Sequence, residues 1–257
     1  MSHEYDPDET QLVQVGAQFA ELARVLQAGS GPQVDPERLV QVALKALPHA
    51  DHCSVTVLRP QRPPSTIAAT GDVPRRVDDL QYTLGEGPCL DAAVDDHATL
   101  ATDLRSETRW PSFARRCVAE TGVHGILGLR LVLGGADHAA LNLYSCEAGR
   151  LDAQDVAVAS IFAPFAALAV ESILRQQDVT NLRDALTSSR QIGTAVGIIM
   201  SRELLSAEDA FAVLRRTSQE LNRKLRDIAV EVAMTGAVPR GPRADDPADG
   251  APEDGAC

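Results

Sequence analysis

The sequence predicts an α+β domain with a central antiparallel sheet flanked by helices, then a long coiled-coil-like helix and an all-α domain of three helices. Segments with the alternating, β-branched pattern of strands fall between residues 52 and 146, with helical patterns on both sides. A helical pattern with few breakers runs from Asp152 to about Met200, and shorter helical units follow it. These observations indicate two folded parts of different class.

The composition is ordinary for a soluble protein, since 44% of the 257 residues are hydrophobic and 23% are charged. The formal net charge of −12 repels phosphate backbones, so any contact with nucleic acid must come from a local basic face. The N-terminus is acidic and polar rather than signal-like, and a run of about 18 apolar residues is missing. We therefore expect a cytoplasmic protein without a membrane span.

The first 33 residues are predicted to form one amphipathic helix and a linker. Apolar residues recur at helical spacing between Thr10 and Ala28, and a glycine- and proline-containing segment ends this pattern. A second helix is expected to begin at Pro36 and to run to about Leu47, because Asp35 suits the N-cap and proline suits the first turn.

Four segments have the strand pattern and form two expected antiparallel pairs. The hairpin signal "GGAD" joins the second pair, which is the clearer one. Between the pairs we expect a short strand near Thr99 and a helix from about Trp110 to Glu120, with Pro111 in its first turn. The four strand segments are residues 52–58, 65–70, 125–133 and 138–146.

The long helix exceeds the length usual in globular proteins, and this length indicates a coiled-coil connector. Pro164 is expected to kink the helix or to mark a join. A partial apolar stripe indicates a partner helix, so a homodimer is expected. The stripe consists of Phe165, Leu168, Leu174, Val179, Leu182 and Leu186.

Two further helices are predicted after the connector. Ser206, followed three residues later by Asp209, resembles a capping box at the start of the first helix. Asn222 is expected to cap the second helix, which Gly236 and Pro239 end. The predicted domains are residues 1–33 (helix and linker), 34–174 (α+β domain), 175–238 (connector and three-helix domain) and 239–257 (disordered tail).

Catalytic and metal-binding patterns are not visible in the sequence. The five cysteines are widely spaced and the six histidines are scattered, so we expect neither a metal site nor a cofactor. A nucleophile paired with a base and a phosphate-binding loop are also missing, so an enzyme is not expected. Buried, reduced thiols are the favoured interpretation of the cysteines, and a redox-sensing thiol is the alternative.

Three segments of the α+β part resemble the GAF domains of actinobacterial regulators. They are "QYTLGEGPCLDA", "DLRSETRWPSFA" and "ALNLYS", in that order along the chain. GAF domains are α+β modules that sense small molecules and other signals, so the resemblance implies a sensor for an unknown small-molecule or protein signal. A sensor pocket is one interpretation of five residues, and a structural core or polar cluster is the other. The five are Trp110, Phe113, His124, Asn142 and Tyr144.

The C-terminal part closely resembles the ANTAR domain. ANTAR proteins bind paired stem-loops in nascent messenger RNA and prevent transcription termination, and the resemblance implies that function here. Val196 stands where many members of the family have lysine. Two interpretations are open: Arg190 or Arg202 compensates for the missing contact, or the first helix matters less for the RNA of this protein. The motif positions that match are Ala195, Gly197, Met200, Ala210, Phe211, Leu214, Arg215, Asn222, Lys224, Leu225 and Ala229.

The same part of the chain carries a local cluster of basic residues. Eight basic and eight acidic residues lie between Asp178 and Met234, so this part is neutral while the rest is acidic. The basic residues of this cluster could bind the phosphates of RNA, and the polar residues among them suit the bases of a loop. Together they predict an RNA-binding surface. A solvated face of ion pairs is the alternative. The predicted RNA-binding residues are Arg190, Gly197, Arg202, Arg215, Arg216, Ser218, Gln219, Asn222, Arg223 and Lys224.

Gly193 and Gly197 lie four residues apart, on one face of the end of the long helix. Small residues there predict close approach of a second helix or a ligand, with Val196, Ile199 and Met200 facing the three-helix core. A DNA-binding regulator remains an alternative to RNA binding, because short helical trios also build helix-turn-helix modules.

Overall fold

The computed structural model describes residues 35–94 and 98–239. The helix predicted between Thr10 and Ala28 and the tail beyond Pro239 lie outside these residues. The chain divides into two compact units, and the division falls between Gln177 and Asp178.

The first unit is an α+β domain built on one five-stranded sheet, as the sequence predicted. The strand order is β2-β1-β5-β4-β3, and every neighbouring pair is antiparallel. The strands are β1 (His52–Leu58), β2 (Ser65–Ala69), β3 (Thr99–Ala101), β4 (Gly125–Leu131) and β5 (His138–Ser145). The helices of this unit before the long helix are α1 (Pro36–Ala46), α2 (Asp72–Leu84), α3 (Pro88–Val94) and α4 (Pro111–Thr121).

The sheet is covered on both faces, because its strands alternate between two buried sets of side chains. On one face Val55 and Val57 join a core that α1 and the first half of the long helix complete. On the other face Ile126 and Tyr144 pack with α2 and α4, whose Phe113 is fully buried. Burial of each large apolar side chain contributes roughly 1.5–3 kcal/mol.

The helix α2 is absent from the sequence prediction. Its fully or nearly buried residues Val77 and Leu80 recur at helical spacing, so the signal was present. Three polar residues, Asp78, Asp79 and Gln81, lie next to these apolar positions. Because Asp78 and Gln81 are buried although they are polar, the buried face of α2 does not appear as an apolar stripe in the sequence.

The helix α5 (Ala153–Glu203) is continuous over 51 residues and runs through Pro164, so the proline does not mark a join. Asp152 and Asp155 cap its start: Asp152 Oδ1 accepts from the amide of Gln154 at 2.7 Å, and the amide of Asp152 donates to Asp155 Oδ2 at 2.9 Å. By length and composition alone α5 is apolar enough to cross a membrane. Phe162 and Val170 of this helix pack in the core of the first unit, as the core helix of a globular domain does. That the chain has no membrane span stays a prediction.

The second unit is formed by the end of α5 with α6 (Ala207–Glu220) and α7 (Leu225–Thr235). Ser206 caps α6 as predicted, since its Oγ accepts from the amide of Asp209 at 3.1 Å. The prediction for Asn222 was wrong: Lys224 is the N-cap of α7, and Asn222 adopts φ of 48° in the turn before it. The core of the second unit consists of Ala195, Ile199, Ala210, Leu214, Ile228, Ala229 and Val232.

The two glycines of α5 do not mark a close approach between helices of the described chain. A Cβ built on Gly193 or Gly197 meets no atom within 4 Å, and both residues are exposed. The end of α5 packs against the core through Ala195 and Ile199 instead. Val196 and Met200 also contact this core but are only partly buried. The glycine face therefore points away from the three-helix core.

We expect Ala229→Leu to destabilise the second unit by about 1–3 kcal/mol, because Ala229 is fully buried and a larger side chain would overpack its small core. Ala233→Leu makes the same change at an exposed position of α7 and should have little effect. Amide hydrogen exchange resolved to α6 and α7 measures the change separately from the first unit. Equal protection in the two variants would contradict this assignment.

Candidate functional site

The face of the sheet that α2 covers carries fully buried polar side chains. Ser54 and Thr56 of β1 lie beside Asn142 and Tyr144 of β5, and we call these four residues the polar face. Asn142 Nδ2 donates to Ser54 Oγ at 3.1 Å and to Thr56 Oγ1 at 2.9 Å. The hydroxyls of Ser54 and Tyr144 are 2.8 Å apart. Because alternate residues of a strand share a face, one strip of the sheet collects all four.

Asp78 of α2 is the ionisable group that closes over the polar face. The Tyr144 hydroxyl donates to Asp78 Oδ1, and Thr66 Oγ1 donates to Asp78 Oδ2 at 2.8 Å. Burial raises the pKa of Asp78 to about 6, although its hydrogen bonds act in the opposite direction. Burial and the nearby Asp78 charge raise the pKa of Tyr144 as well, so the tyrosine stays a hydroxyl donor at neutral pH.

The "GEGPC" segment joins α2 to α3 and holds both against neighbouring elements. Glu86 Oε1 accepts from the amide of Phe113 at 2.6 Å and so caps α4. Gly87 has φ of 145°, and a Cβ there would lie 2.3 Å from Gln81 Oε1, which itself accepts from the amide of Cys89 at 2.8 Å. The segment therefore has a structural role in this conformation.

The five residues predicted to line a sensor pocket form closed packing in the structure. Phe113, Asn142 and Tyr144 are fully buried, and Trp110 is 4% exposed. His124 is partly buried, and its amide donates to the carbonyl of Ser145 at 2.8 Å. A ligand at this position would require the packing to open, so the pocket remains a prediction. None of the five residues lines the cavity of about 490 Å³ between β4 and α5.

Three buried side-chain atoms of the first unit have no hydrogen-bond partner among the residues that the structure describes. They are Gln81 Nε2, a donor, Asn142 Oδ1, an acceptor on the polar face, and His124 Nδ1. Sequence reasoning missed Asp78, Gln81 and Tyr82, because it did not predict α2. Tyr82 joins the network through hydrogen bonds of 2.9 Å to Thr56 and Thr66.

Three of the cysteines are buried in the first unit, as expected for structural thiols. Burial raises the pKa of Cys53, Cys89 and Cys117, the last to about 12, so these thiols stay protonated at neutral pH. Cys146 is exposed.

One group of side chains in the first unit has donor atoms close enough for a metal ion, namely His49, Asp152 and Asp155. The two carboxylates cap the start of α5, and His49 Nδ1 lies 3.1 Å from each oxygen of Asp155. Because helix capping and this histidine contact account for the cluster, it does not point to a ligand.

The residues that match the ANTAR pattern divide between the core and the surface of the second unit. Ala195, Ala210, Leu214 and Ala229 are fully buried, and Met200 and Leu225 are partly buried. The remaining matches are exposed and are not required for the core: Gly197, Phe211, Arg215, Asn222 and Lys224.

Several of the predicted RNA-binding residues are already engaged within the second unit. Arg223 forms an ion pair of 2.7 Å with Glu231, and Arg216 lies 4.0 Å from Glu220. Ser218 Oγ donates to the carbonyl of Arg223 at 2.6 Å, and Arg202 donates to the carbonyl of Gly236. The contacts of Arg202, Ser218 and Arg223 hold the segments before and after α7 and reduce the availability of these three groups. Arg216 and Glu220 are both exposed on α6, so their contact is the weakest of the set.

The cations that remain exposed without an ion pair within the described ranges include Arg190 on α5, Arg215 on α6 and Lys224 at the start of α7. Gln219 and Asn222 are exposed near the turn that joins α6 to α7. The basic cluster predicted from the sequence thus separates into paired cations and a smaller set open to an anion.

The fold and these two regions define a protein of two parts, an α+β domain with a buried polar network and a separate helical domain with exposed cations. The family model of the GAF domain matches residues 33–171, and that of the ANTAR domain matches residues 180–232. The GAF match spans more than half of the chain, so the chain belongs to the GAF domain family, and its second unit contains an ANTAR domain. This combination supports a regulator under sensory control.

Solved structures similar to the chain include other GAF domains. The GAF domain of a phosphoenolpyruvate-protein phosphotransferase from Coxiella burnetii is 17% identical, with a TM-score of 0.48, and the alignment covers 67% of this chain and 99% of that one. The corresponding Acinetobacter domain is 16% identical, with a TM-score of 0.47 and coverage of 63% and 96%. An N-acylhomoserine lactone-dependent LuxR family transcription factor from Burkholderia cenocepacia is 15% identical, with a TM-score of 0.47 and coverage of 66% and 99%. Comparison with curated proteins finds no match.

We expect the stability of the first unit to depend on the ionisation of Asp78. Its pKa is raised in the folded state, so its contribution is fully present below the unfolded value of 3.8 and is lost as pH rises to about 6. The shift corresponds to a loss of about 3 kcal/mol. Asp78→Asn cannot ionise, so wild type should lose stability relative to this variant between about pH 4 and pH 6.

Urea unfolding of both proteins, followed by Trp110 fluorescence over this pH range, measures the difference. Trp110 reports on this unit because it is the only tryptophan in the chain and is packed beside α2 and α4. Parallel pH profiles of the two proteins would contradict the raised pKa.

Proposed function

We propose that this protein is a signal-responsive RNA-binding regulator that prevents transcription termination. Its ANTAR domain binds stem-loops in nascent messenger RNA, and its GAF domain controls that binding. In this proposal the protein acts in the cytoplasm, has no enzymatic activity and needs no cofactor for RNA binding. The alternative from the sequence, a DNA-binding regulator, is addressed by the same experiments.

The observation that carries the proposal is the ANTAR match together with the distribution of its motif residues. Residues that the three-helix core does not require, Arg215, Asn222 and Lys224, stay on the surface near one interhelical turn. Exposed cations without an ion-pair partner suit phosphate contacts, and an exposed amide suits the edges of unpaired bases. These exposed cations supply the local positive charge that a chain with a net charge of −12 needs for contact with phosphate.

The GAF domain supplies the signal input in this proposal. Gln81 Nε2 and Asn142 Oδ1 offer an unsatisfied donor and acceptor beside the polar face, which a small polar molecule would satisfy. The identity of this molecule, or of a protein signal in its place, is open. Signal binding would change dimerisation or the presentation of the ANTAR domain through α5.

Dimerisation is supported by an exposed apolar stripe on α5. Val179, Leu182 and Leu186 are 47%, 61% and 63% exposed and follow the 3–4 spacing of a coiled-coil seam. Gly193 follows Leu186 by seven residues, at the same position of a heptad, where a second helix would approach closely. Two RNA-binding domains in one dimer would bind two adjacent stem-loops with increased effective affinity.

We expect Leu182→Asp to weaken the dimer. A carboxylate at the seam loses its hydration and faces the same carboxylate of the second protomer, and both effects raise the free energy of the dimer. Asn181→Asp places the same charge on the neighbouring exposed residue, about 100° around the helix, and should leave the dimer intact. Sedimentation over a protein concentration series distinguishes the two. A monomeric wild type, or equal dissociation constants for both variants, would contradict the seam.

We expect Arg215→Gln and Lys224→Gln to weaken RNA binding more than Arg190→Gln does. Each lost phosphate contact should also reduce the slope of log affinity against log salt concentration by about one. The measurement is a gel shift with RNA of two adjacent stem-loops whose loop sequences are selected from a randomised pool on the wild-type protein. Arg216→Gln is the matched control on α6, since Arg216 lies near Glu220.

The proposal fails if dimeric wild-type protein retains no member of the RNA pool at moderate salt. Preference for duplex DNA over the selected RNA in a competition assay would favour the DNA-binding alternative. A larger effect of Arg190→Gln than of Arg215→Gln would refute the assignment of the cations.

A further inference from the structure

Phe211 is an aromatic side chain that the three-helix core does not bury. It is 41% exposed, whereas Ala210 before it and Leu214 one turn later are fully buried. The core of the second unit forms around those two neighbours, so core packing does not account for a phenyl ring at position 211.

The residues that share this side of α6 have groups suited to a nucleotide. Arg215 lies one turn after Phe211 and is exposed, without an ion pair in the part of the second unit that the structure describes. Asn222 lies beyond the end of α6, exposed in a left-handed conformation in the turn before α7. Arg216 points about 100° away from Arg215 and lies near Glu220. The face of α6 therefore presents a ring and a cation, and the turn that follows the helix presents an amide.

The charges on this face set a direction for a bound anion. Glu208, three residues before Phe211, is exposed and places negative charge at the N-terminal end of α6. Arg215 and Lys224 place positive charge toward the other end and the turn to α7. The phosphate backbone of a nucleic acid bound at Phe211 would run from the ring toward Arg215 and Lys224, because the carboxylate of Glu208 repels it.

We propose that Phe211 stacks on an unpaired base of an RNA loop while Arg215 contacts the adjoining phosphate. Aromatic side chains stack on bases that are unpaired and splayed out, and neighbouring cations hold the backbone. This proposal rests on the proposed RNA-binding function and specifies that the protein reads a single-stranded loop nucleotide rather than the duplex stem. Arg215 and Lys224, which form no ion pair with any residue that the structure describes, favour an RNA over a protein partner on this face.

The test combines a protein substitution with a change in the RNA. The probe is an RNA of two stem-loops selected on the full-length wild-type protein, prepared with an abasic site at each loop position in turn. Phe211→Leu keeps an apolar side chain but removes the ring, and it should weaken binding about tenfold or more. An abasic site at one loop position should weaken wild type equally, and the combination should cost no more than either change.

Three control variants separate stacking from other roles. Phe211→Tyr keeps the ring and should retain binding. Leu204→Ala removes a side chain that is 90% exposed and should leave affinity unchanged. Phe211→Leu should leave the salt dependence of binding unchanged, whereas Arg215→Gln should reduce its slope by about one. Circular dichroism confirms that each variant keeps its helices.

Equal RNA affinity of wild type and Phe211→Leu would overturn the stacking proposal and leave the proposed function standing. Additive losses at every abasic position would also overturn it. If Phe211→Leu instead raises the dimer dissociation constant and leaves RNA affinity unchanged, a second copy occupies this face and the proposal is wrong. If no RNA of the pool binds wild type, both proposals fall together.

Discussion

Close packing at alanine is the constraint on which the output domain depends. Ala195, Ala210 and Ala229 come from three different helices and are all fully buried in one small core. A methyl group is the largest side chain that such a site holds without overpacking. Because Ala210 and Leu214 fill the core, α6 presents Phe211 and Arg215 to solvent. The same packing that folds the domain thereby determines which side chains are available for the proposed contact with RNA.

The sensory domain follows a different physical rule, since its covered sheet face is polar as well as buried. Hydrogen bonds compensate for most of this burial, and Asp78 connects α2 to Tyr144 of the polar face and to Thr66 of β2. The unsatisfied atoms of Gln81 and Asn142 mark where the compensation is incomplete. A buried polar network of this kind is sensitive to any group that completes it or to a change in its charge.

The sequence predicted the elements whose local pattern and burial agree. The paired strands, the long α5 and the Ser206 cap follow from alternation, helical spacing and side-chain chemistry near in sequence. The helix α2 was missed because its buried face contains the polar residues Asp78 and Gln81. The partners of Asp78 lie on the distant strands β2 and β5, and the partner of Gln81 is the amide of Cys89 in α3. Asn222 was misassigned because both a helix cap and a left-handed turn suit asparagine. The basic cluster was visible, but which cations are paired depends on Glu231 and Glu220 in the folded unit.

The proposed function is that of a regulator whose GAF domain controls an RNA-binding ANTAR domain. Ultraviolet crosslinking in living cells, followed by sequencing of the bound nucleic acid and mass spectrometry of the crosslinked peptides, tests this claim most directly. We predict RNA fragments with two adjacent stem-loops upstream of terminators, joined to peptides that contain α6 or the turn before α7. Recovery of duplex DNA, or crosslinks confined to the GAF domain, would contradict the account.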